Sequence, residues 1–319
     1  ISELPFLLEE NMKNKKRGRC EGWFFCLVAG ILIVCGIGYA AYITWGYWRG
    51  RNKYQTIQDS YTYEYVDSEE ITGAVLEETD NRENTTKEKQ SAFQTPEMAQ
   101  EALLLPEDAP ERIAVDWAAL LADYSSVAAW IQLPALELEY PVMQAQDNEY
   151  FLHRAPDETS LFAGSIFLDS QNSPGLENYN TLVYGHNMRD GSMFAKLSRY
   201  ADPDVLSSCP YFWLYTPAGD FLYRIFSVHC TSSTGNTYTI RFPDYASFCE
   251  WRQEMLEASD PDTGFPETEL DSKDNAGYGK VVTLSTCTGD SSIRQTVQGL
   301  LIWQRTGAKR DELMFKTYS

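Results

Sequence analysis

Between Glu21 and Arg49 the chain runs for 27 residues, "GWFFCLVAGILIVCGIGYAAYITWGYW", without a charged side chain. At about 1.5 Å of rise per residue, about 20 apolar residues already cross the hydrocarbon core of a bilayer. Residues 22–48 therefore read as a transmembrane helix. Trp23 stands at one end and Trp45, Tyr47 and Trp48 at the other, where amphipathic rings favour the two interfaces. The basic run "KNKKRGR" precedes the span with five Lys/Arg, against Arg49, Arg51 and Lys53 after it. That bias predicts a cytoplasmic N-terminus (1–21) and an extracytoplasmic C-terminal bulk in a single-pass protein of the cell membrane. The apolar core is too long for a cleaved signal peptide, and no clean small-x-small site follows it, so the anchor is expected to be retained.

Residues 49–111 are polar and acidic without sustained periodicity and read as a stalk or linker, flexible or partly helical. The whole chain carries 26 Lys/Arg against 46 Asp/Glu, a net charge of −20, which argues against a nucleic-acid partner.

From residue 112 to 319 the pattern is that of one folded domain. Ile113, Trp117, Leu120, Leu121 and Tyr124 fall at helical spacing and predict an opening helix. Short apolar runs rich in β-branched and aromatic residues then predict strands near 127–132, 136–143, 164–168, 180–185, 211–216, 220–231, 279–286 and 295–305. About eight strands with little helix suggest a closed barrel or a sandwich. "GSMFAKLSRY" and "DYASFCEWRQEMLEA" are expected as helical interruptions, and the breaker-rich loop 259–278 is expected on the surface.

Seven cysteines are present, three of them (Cys20, Cys26, Cys35) in or beside the span. Cys209, Cys230 and Cys249 read as small buried hydrophobes, with a Cys209–Cys230 bridge left open. No spacing suggests a metal site. Cys287 differs, because "KVVTLST" before it is a buried-strand run and Thr-Gly-Asp-Ser after it is turn chemistry. A hairpin tip centred between Asp290 and Ser291 pairs Cys287 with Arg294 on one side of the sheet. A guanidinium there suits a thiolate or a carbonyl oxygen turning negative, although a structural thiol beside a surface charge has the same spacing. A thiol nucleophile needs a proton partner, and there are three histidines. His153 and His229 lie in or beside apolar runs and read as structural, whereas His186 in "TLVYGHNMRDGSMF" follows a strand and a glycine, which makes it the base candidate.

"YGHNMRDGSMF" and "TLSTC" followed by an arginine resemble the signatures of class B sortases, and the similarity covers most of 112–305. The resemblance implies a mainly β fold: a closed eight-stranded barrel with an N-terminal helical extension and an extra helix, 244–257, before the seventh strand. It implies a cysteine transpeptidase of Gram-positive bacteria in which Cys287, His186 and Arg294 are catalytic, and Ser285 and Thr286 line the substrate groove. The implied substrates are secreted proteins bearing a C-terminal sorting motif, cleaved after Thr through a thioacyl intermediate. The acceptor is an amine of lipid II or peptidoglycan, or a pilin lysine, with no cofactor. The hairpin from Cys287 to Arg294 is tighter than the family pattern implies. A membrane-anchored cysteine hydrolase without transfer is the alternative, set back by the order His before Cys and by a cysteine that ends a strand rather than opening a helix. A non-catalytic barrel would not need all three groups.

Overall fold

The computed structural model describes residues 4–65, 105–270, 279–290 and 292–306, with side chains in the first helix described at Trp23 and from Leu27 onward. The chain divides into two compact units at Asn52/Lys53. The first consists of helix α1 (Leu4–Tyr61) up to that point. From Leu27, α1 is long and apolar enough to cross a membrane by length and composition, and Leu32, Ile33, Val34 and Ile37 are exposed along it.

The second unit begins inside the expected stalk. The last turns of α1 carry Tyr54 and Ile57, both buried. Ile57 joins a cluster with Val115, Trp117, Leu120 and Trp213. Burying an isoleucine side chain stabilises a contact by about 2 kcal/mol, so this end of the helix is held to the domain. Strand β1 (Thr62–Glu64) pairs antiparallel with β2 (Ile113–Val115). Residues 53–65 thus fall in the same compact unit as the barrel, and most of the rest of the expected stalk, 66–104, lies outside the described residues. Ile113 sits in that strand rather than on a helix. The opening helix, α2 (Trp117–Asp123), starts only after Asp116, whose carboxylate accepts from the Ala119 amide at 3.0 Å as its N-cap.

Eight strands then close a barrel: β3 (Val127–Leu133), β4 (Leu138–Met143), β5 (Ile166–Leu168), β6 (Asn180–Tyr184), β7 (Tyr211–Thr216), β8 (Gly219–Ser232), β9 (Val281–Cys287) and β10 (Ile293–Thr306). Their order around the barrel is β10-β8-β7-β3-β4-β5-β6-β9, closing from β9 to β10. Most neighbours are antiparallel, but β4–β5 and β6–β9 are parallel. A 3₁₀ turn over Ala195–Ala201 takes the place expected for a helix in "GSMFAKLSRY", followed by helix α3 (Pro203–Ser208). The expected eight-stranded barrel and N-terminal helical extension are present.

The extra helix, α4 (Tyr245–Glu257), lies before β9, the barrel's seventh strand. Asp244 caps it by accepting from the Ser247 amide at 2.8 Å, and those hydrogen bonds hold its carboxyl below the usual range. Phe248, Trp251 and Met255 of α4 pack with Phe226 and Leu300 of the barrel. Phe265, and Leu270 on the short helix α5 (Glu267–Leu270), are buried in the same cluster. The 259–278 segment is therefore not wholly on the surface: its two large apolar residues among the charges cover α4.

At the shift in β8–β10 register between Gln298 and Gly299, a Cβ on Gly299 would stand 2.4 Å from Phe212 Cε1 and 2.8 Å from Tyr223 Cβ. Phe212 and Tyr223 are stacked and fully buried, so neither ring can yield. Gly299→Ala is expected to destabilise the domain by about 1–3 kcal/mol, read as a lowered thermal midpoint.

Candidate active site

The three sequence candidates meet at one end of the β6–β9–β10 stretch of the barrel. β9 runs antiparallel to β10 with Arg294 opposite Cys287, the register that a tip between Asp290 and Ser291 requires. The tip is held by Asp290, whose Oδ1 accepts from the Ser292 amide at 2.8 Å and from its hydroxyl at 2.7 Å. Thr288 Oγ1 donates to the Ile293 carbonyl at 3.1 Å. Cys287 and Arg294 are both half-buried, and Arg294 Nη1 donates to the Ile293 carbonyl at 3.1 Å.

On its other side β9 runs parallel to β6, with Tyr184 in register with Ser285. The Gly185 amide extends that ladder to the Ser285 carbonyl at 3.1 Å. Asn187 Nδ2 then donates to the carbonyl of Cys287 itself at 2.8 Å. His186, lying between these two contacts, is thereby placed beside the end of the cysteine strand. Only glycine fits at 185, because a Cβ there would stand 2.4 Å from Ile166 Cδ1 and 2.8 Å from the Phe194 ring.

His186 is fixed from a third direction. Its Nε2 lies 2.7 Å from the Leu152 carbonyl. A carbonyl only accepts, so Nε2 carries the proton and Nδ1 is left with the lone pair in the neutral ring. His153 stacks on the same ring, 5.4 Å between centroids and 18° between planes. Burial pushes the His186 pKa down; the Leu152 hydrogen bond opposes this and the charge of His153 adds to it. His153, read from the sequence as structural, is thus a neighbour of the base candidate. The signal was absent, since 33 residues separate the two.

Ser285 and Thr286 part company. Successive strand side chains point to opposite faces, so Ser285 shares a face with Cys287, and its hydroxyl lies 2.8 Å from Tyr238 Oη. Thr286 falls on the other face, 4 % exposed, its hydroxyl without a partner among the described residues. Around Ser285 the sequence reading missed a polar aromatic group. Tyr238 stacks on Tyr184 at 6.4 Å between centroids, and Tyr184 Oη donates to the buried Asp169 at 3.0 Å. Burial raises the pKa of both phenols and the charge of Arg294 opposes it in both, so the guanidinium's field reaches the two rings.

His229 is a satisfied core histidine, Nδ1 2.9 Å from Ser227 Oγ and Nε2 3.0 Å from Thr237 Oγ1. Cys209, Cys230 and Cys249 are free thiols; Cys230 is exposed, and Cys209 and Cys249 are half-buried rather than fully buried as expected.

A family model described as the sortase domain matches residues 131–302. A curated relative, sortase B of Listeria monocytogenes, is 32% identical over 179 residues, covering 55% of this chain and 70% of its own. The chain belongs to the class B sortases. Among solved structures, Bacillus anthracis sortase B in complex with AAEK1 superposes with a TM-score of 0.50 at 30% identity, over 58% of this chain and 83% of that one. Clostridium perfringens sortase B gives 0.51 at 26% identity, over 58% and 98%. As a member of this family the sortase is a cysteine transpeptidase, a class that acts on sorting-motif proteins and amine acceptors.

Burial lowers the pKa of His229 as well as that of His186 below the ordinary 6.5. Below pH 6.5 the unfolded sortase therefore binds more protons than the native one, so this stability is full above 6.5 and is lost as pH falls through the two folded values. Urea unfolding at pH 7.5 and 5.5 checks this: acidification should destabilise the native chain, and His229→Asn should lose less between the two pH values.

Proposed function

We propose that this sortase cleaves a C-terminal sorting motif after its Thr and joins the released carbonyl to an amine, with Cys287, His186 and Arg294 as the reacting groups. The observation that carries the reading is the placement of Arg294 opposite Cys287 in the β9–β10 ladder, with the His186 segment tied to the other side of the same strand. The Cys287 thiolate attacks the Thr carbonyl carbon, and the oxygen turns negative as the tetrahedral centre forms. The Arg294 guanidinium is suited to hold that oxygen. The C–N bond breaks as protonated His186 gives its proton to the leaving amine, which leaves a thioacyl enzyme. An incoming amine attacks the thioester, neutral His186 takes its proton, and the thiolate leaves.

Ser285, on the face of Cys287 with Tyr238 and Tyr184, is assigned to the groove wall. Thr286, on the opposite face, is assigned a backbone contribution at most. The acceptor is an amine of lipid II or peptidoglycan, or a pilin lysine. The basic run before the apolar part of α1 supports a single-pass membrane protein with residues 1–21 cytoplasmic, 22–48 spanning and the barrel extracytoplasmic.

Mass spectrometry of the full chain in detergent, incubated with Asn-Pro-x-Thr and Leu-Pro-x-Thr-Gly peptides with and without an added amine, tests this. An adduct on Cys287 that moves to the amine is expected. Cleavage insensitive to the amine would make the protein a hydrolase, and the absence of any adduct or cleavage would sink the reading. Cys287→Ala is expected to abolish turnover, and Arg294→Ala and His186→Ala to lower kcat about 100-fold or more.

A further inference from the structure

The end of helix α1 reaches the support of His186 by two separate routes that start at one side chain. Tyr54 is 3 % exposed, and its hydroxyl donates to the Gly164 carbonyl at 2.6 Å and also lies 3.0 Å from Ser165 Oγ. Gly164 is pressed against the residue that holds His186: with φ +57° it has no Cβ, and one placed there would stand 2.2 Å from the Leu152 carbonyl oxygen. Ser165 completes the clamp, its amide donating to the Phe151 carbonyl at 3.0 Å and its hydroxyl to the Arg154 carbonyl at 2.7 Å. The turn Phe151–His153, which carries both the Leu152 carbonyl and the stacked His153 ring, is thus closed from below by the pair that Tyr54 binds. Lys53 adds a bond to the same loop, donating to Thr159 Oγ1 at 2.9 Å and pairing with Asp157.

The second route runs through Tyr140. Its ring meets that of Tyr54 edge to face at 5.3 Å, and its hydroxyl accepts from the Met193 amide at 3.0 Å. Met193 bridges Asn187, the residue after His186, and the Phe194 amide donates to the His186 carbonyl at 3.0 Å. The loop that carries His186 and the turn that binds its ring are therefore both fastened to Tyr54.

We propose that Tyr54, in the last turns of α1, is a positioning residue for His186, so that packing of those turns (from Lys53) on the barrel sets the ring orientation and tautomer of the base. The inference rests on the role assigned to His186 above. Releasing the Tyr54 hydroxyl frees Gly164 and Ser165, loosens the Leu152 carbonyl and lets the imidazole exchange tautomers, without touching Cys287, Arg294 or the Ser285 face. The loss then falls on turnover and not on peptide binding.

The test uses the full chain in detergent, labelled with ¹⁵N-histidine, as the native protein, as Tyr54→Phe and as Tyr61→Phe. Tyr61→Phe is the control: on the same helix, Tyr61 Oη donates to Asp123 at 2.5 Å and its ring packs on Tyr124, away from both routes. In the native protein the His186 ring is expected as the Nε2–H tautomer. Tyr54→Phe should turn it into a tautomer mixture and lower kcat about tenfold at a KM for the sorting peptide within about twofold, while Tyr61→Phe changes neither. A native tautomer and kcat in Tyr54→Phe, or an equal loss in Tyr61→Phe, overturns the proposal. If the native chain transfers no peptide, the function reading has failed by itself and the His186 resonances alone decide the coupling.

Discussion

The candidate site depends on one pairing: β6 lies parallel to β9, residue for residue from Asn180 with Val281 to Tyr184 with Ser285. Parallel neighbours cannot be joined by a tight turn and need a long crossover, and here the crossover contains β7, β8 and the α4–α5 layer. Because both strands point the same way, their C-terminal ends emerge together, one carrying Gly185 and His186 and the other Cys287. Antiparallel pairing would have put the two groups at opposite ends of the strands. β10 then needs only a short hairpin to bring its guanidinium back to the same end.

Around that pairing the polar groups are arranged by burial more than by charge count. Arg294 is the basic group whose field reaches Tyr184 and Tyr238, and it stands in a half-buried setting where charges are screened less than in water. Burial and the neighbouring imidazole push the pKa of His186 down, while one backbone carbonyl orients its ring. Several of the fixing contacts are to main-chain atoms, of Leu152, Ser285 and Cys287, which substitution of those residues does not remove.

Legibility in the sequence followed the range of the interaction. The Cys287–Arg294 register was legible because a short antiparallel hairpin is fixed by its tip, and all eight barrel strands were legible within about two residues from β-branched runs between breakers. That Ser285 and Thr286 point to opposite faces of β9 was also legible, because strand side chains alternate with a period of two. The packing of the last turns of α1, from Lys53 onward, was not legible. Tyr54, Ile57 and Tyr61 stand at helical spacing, but they are sparse among polar residues and their partners lie some 60 to 110 positions away. Leu152 and His153 left no trace at all, because one acts through its backbone and the other through a contact made only after the barrel closes.

The same parallel pairing sets an order of events on the chain. His186 precedes Cys287 by 101 residues, and Arg294 lies at the N-terminal start of β10, the last of the barrel strands in chain order. A nascent chain that has reached residue 280 carries His186 without Cys287. One that stops before β10 carries the thiol without the guanidinium, and without the ladder that positions it. Contacts of such high sequence separation carry a larger loop-closure cost than a local hairpin. The proposed nucleophile therefore meets its guanidinium only once β10 has paired with β9, and the three candidate groups come together only in chains whose barrel has closed.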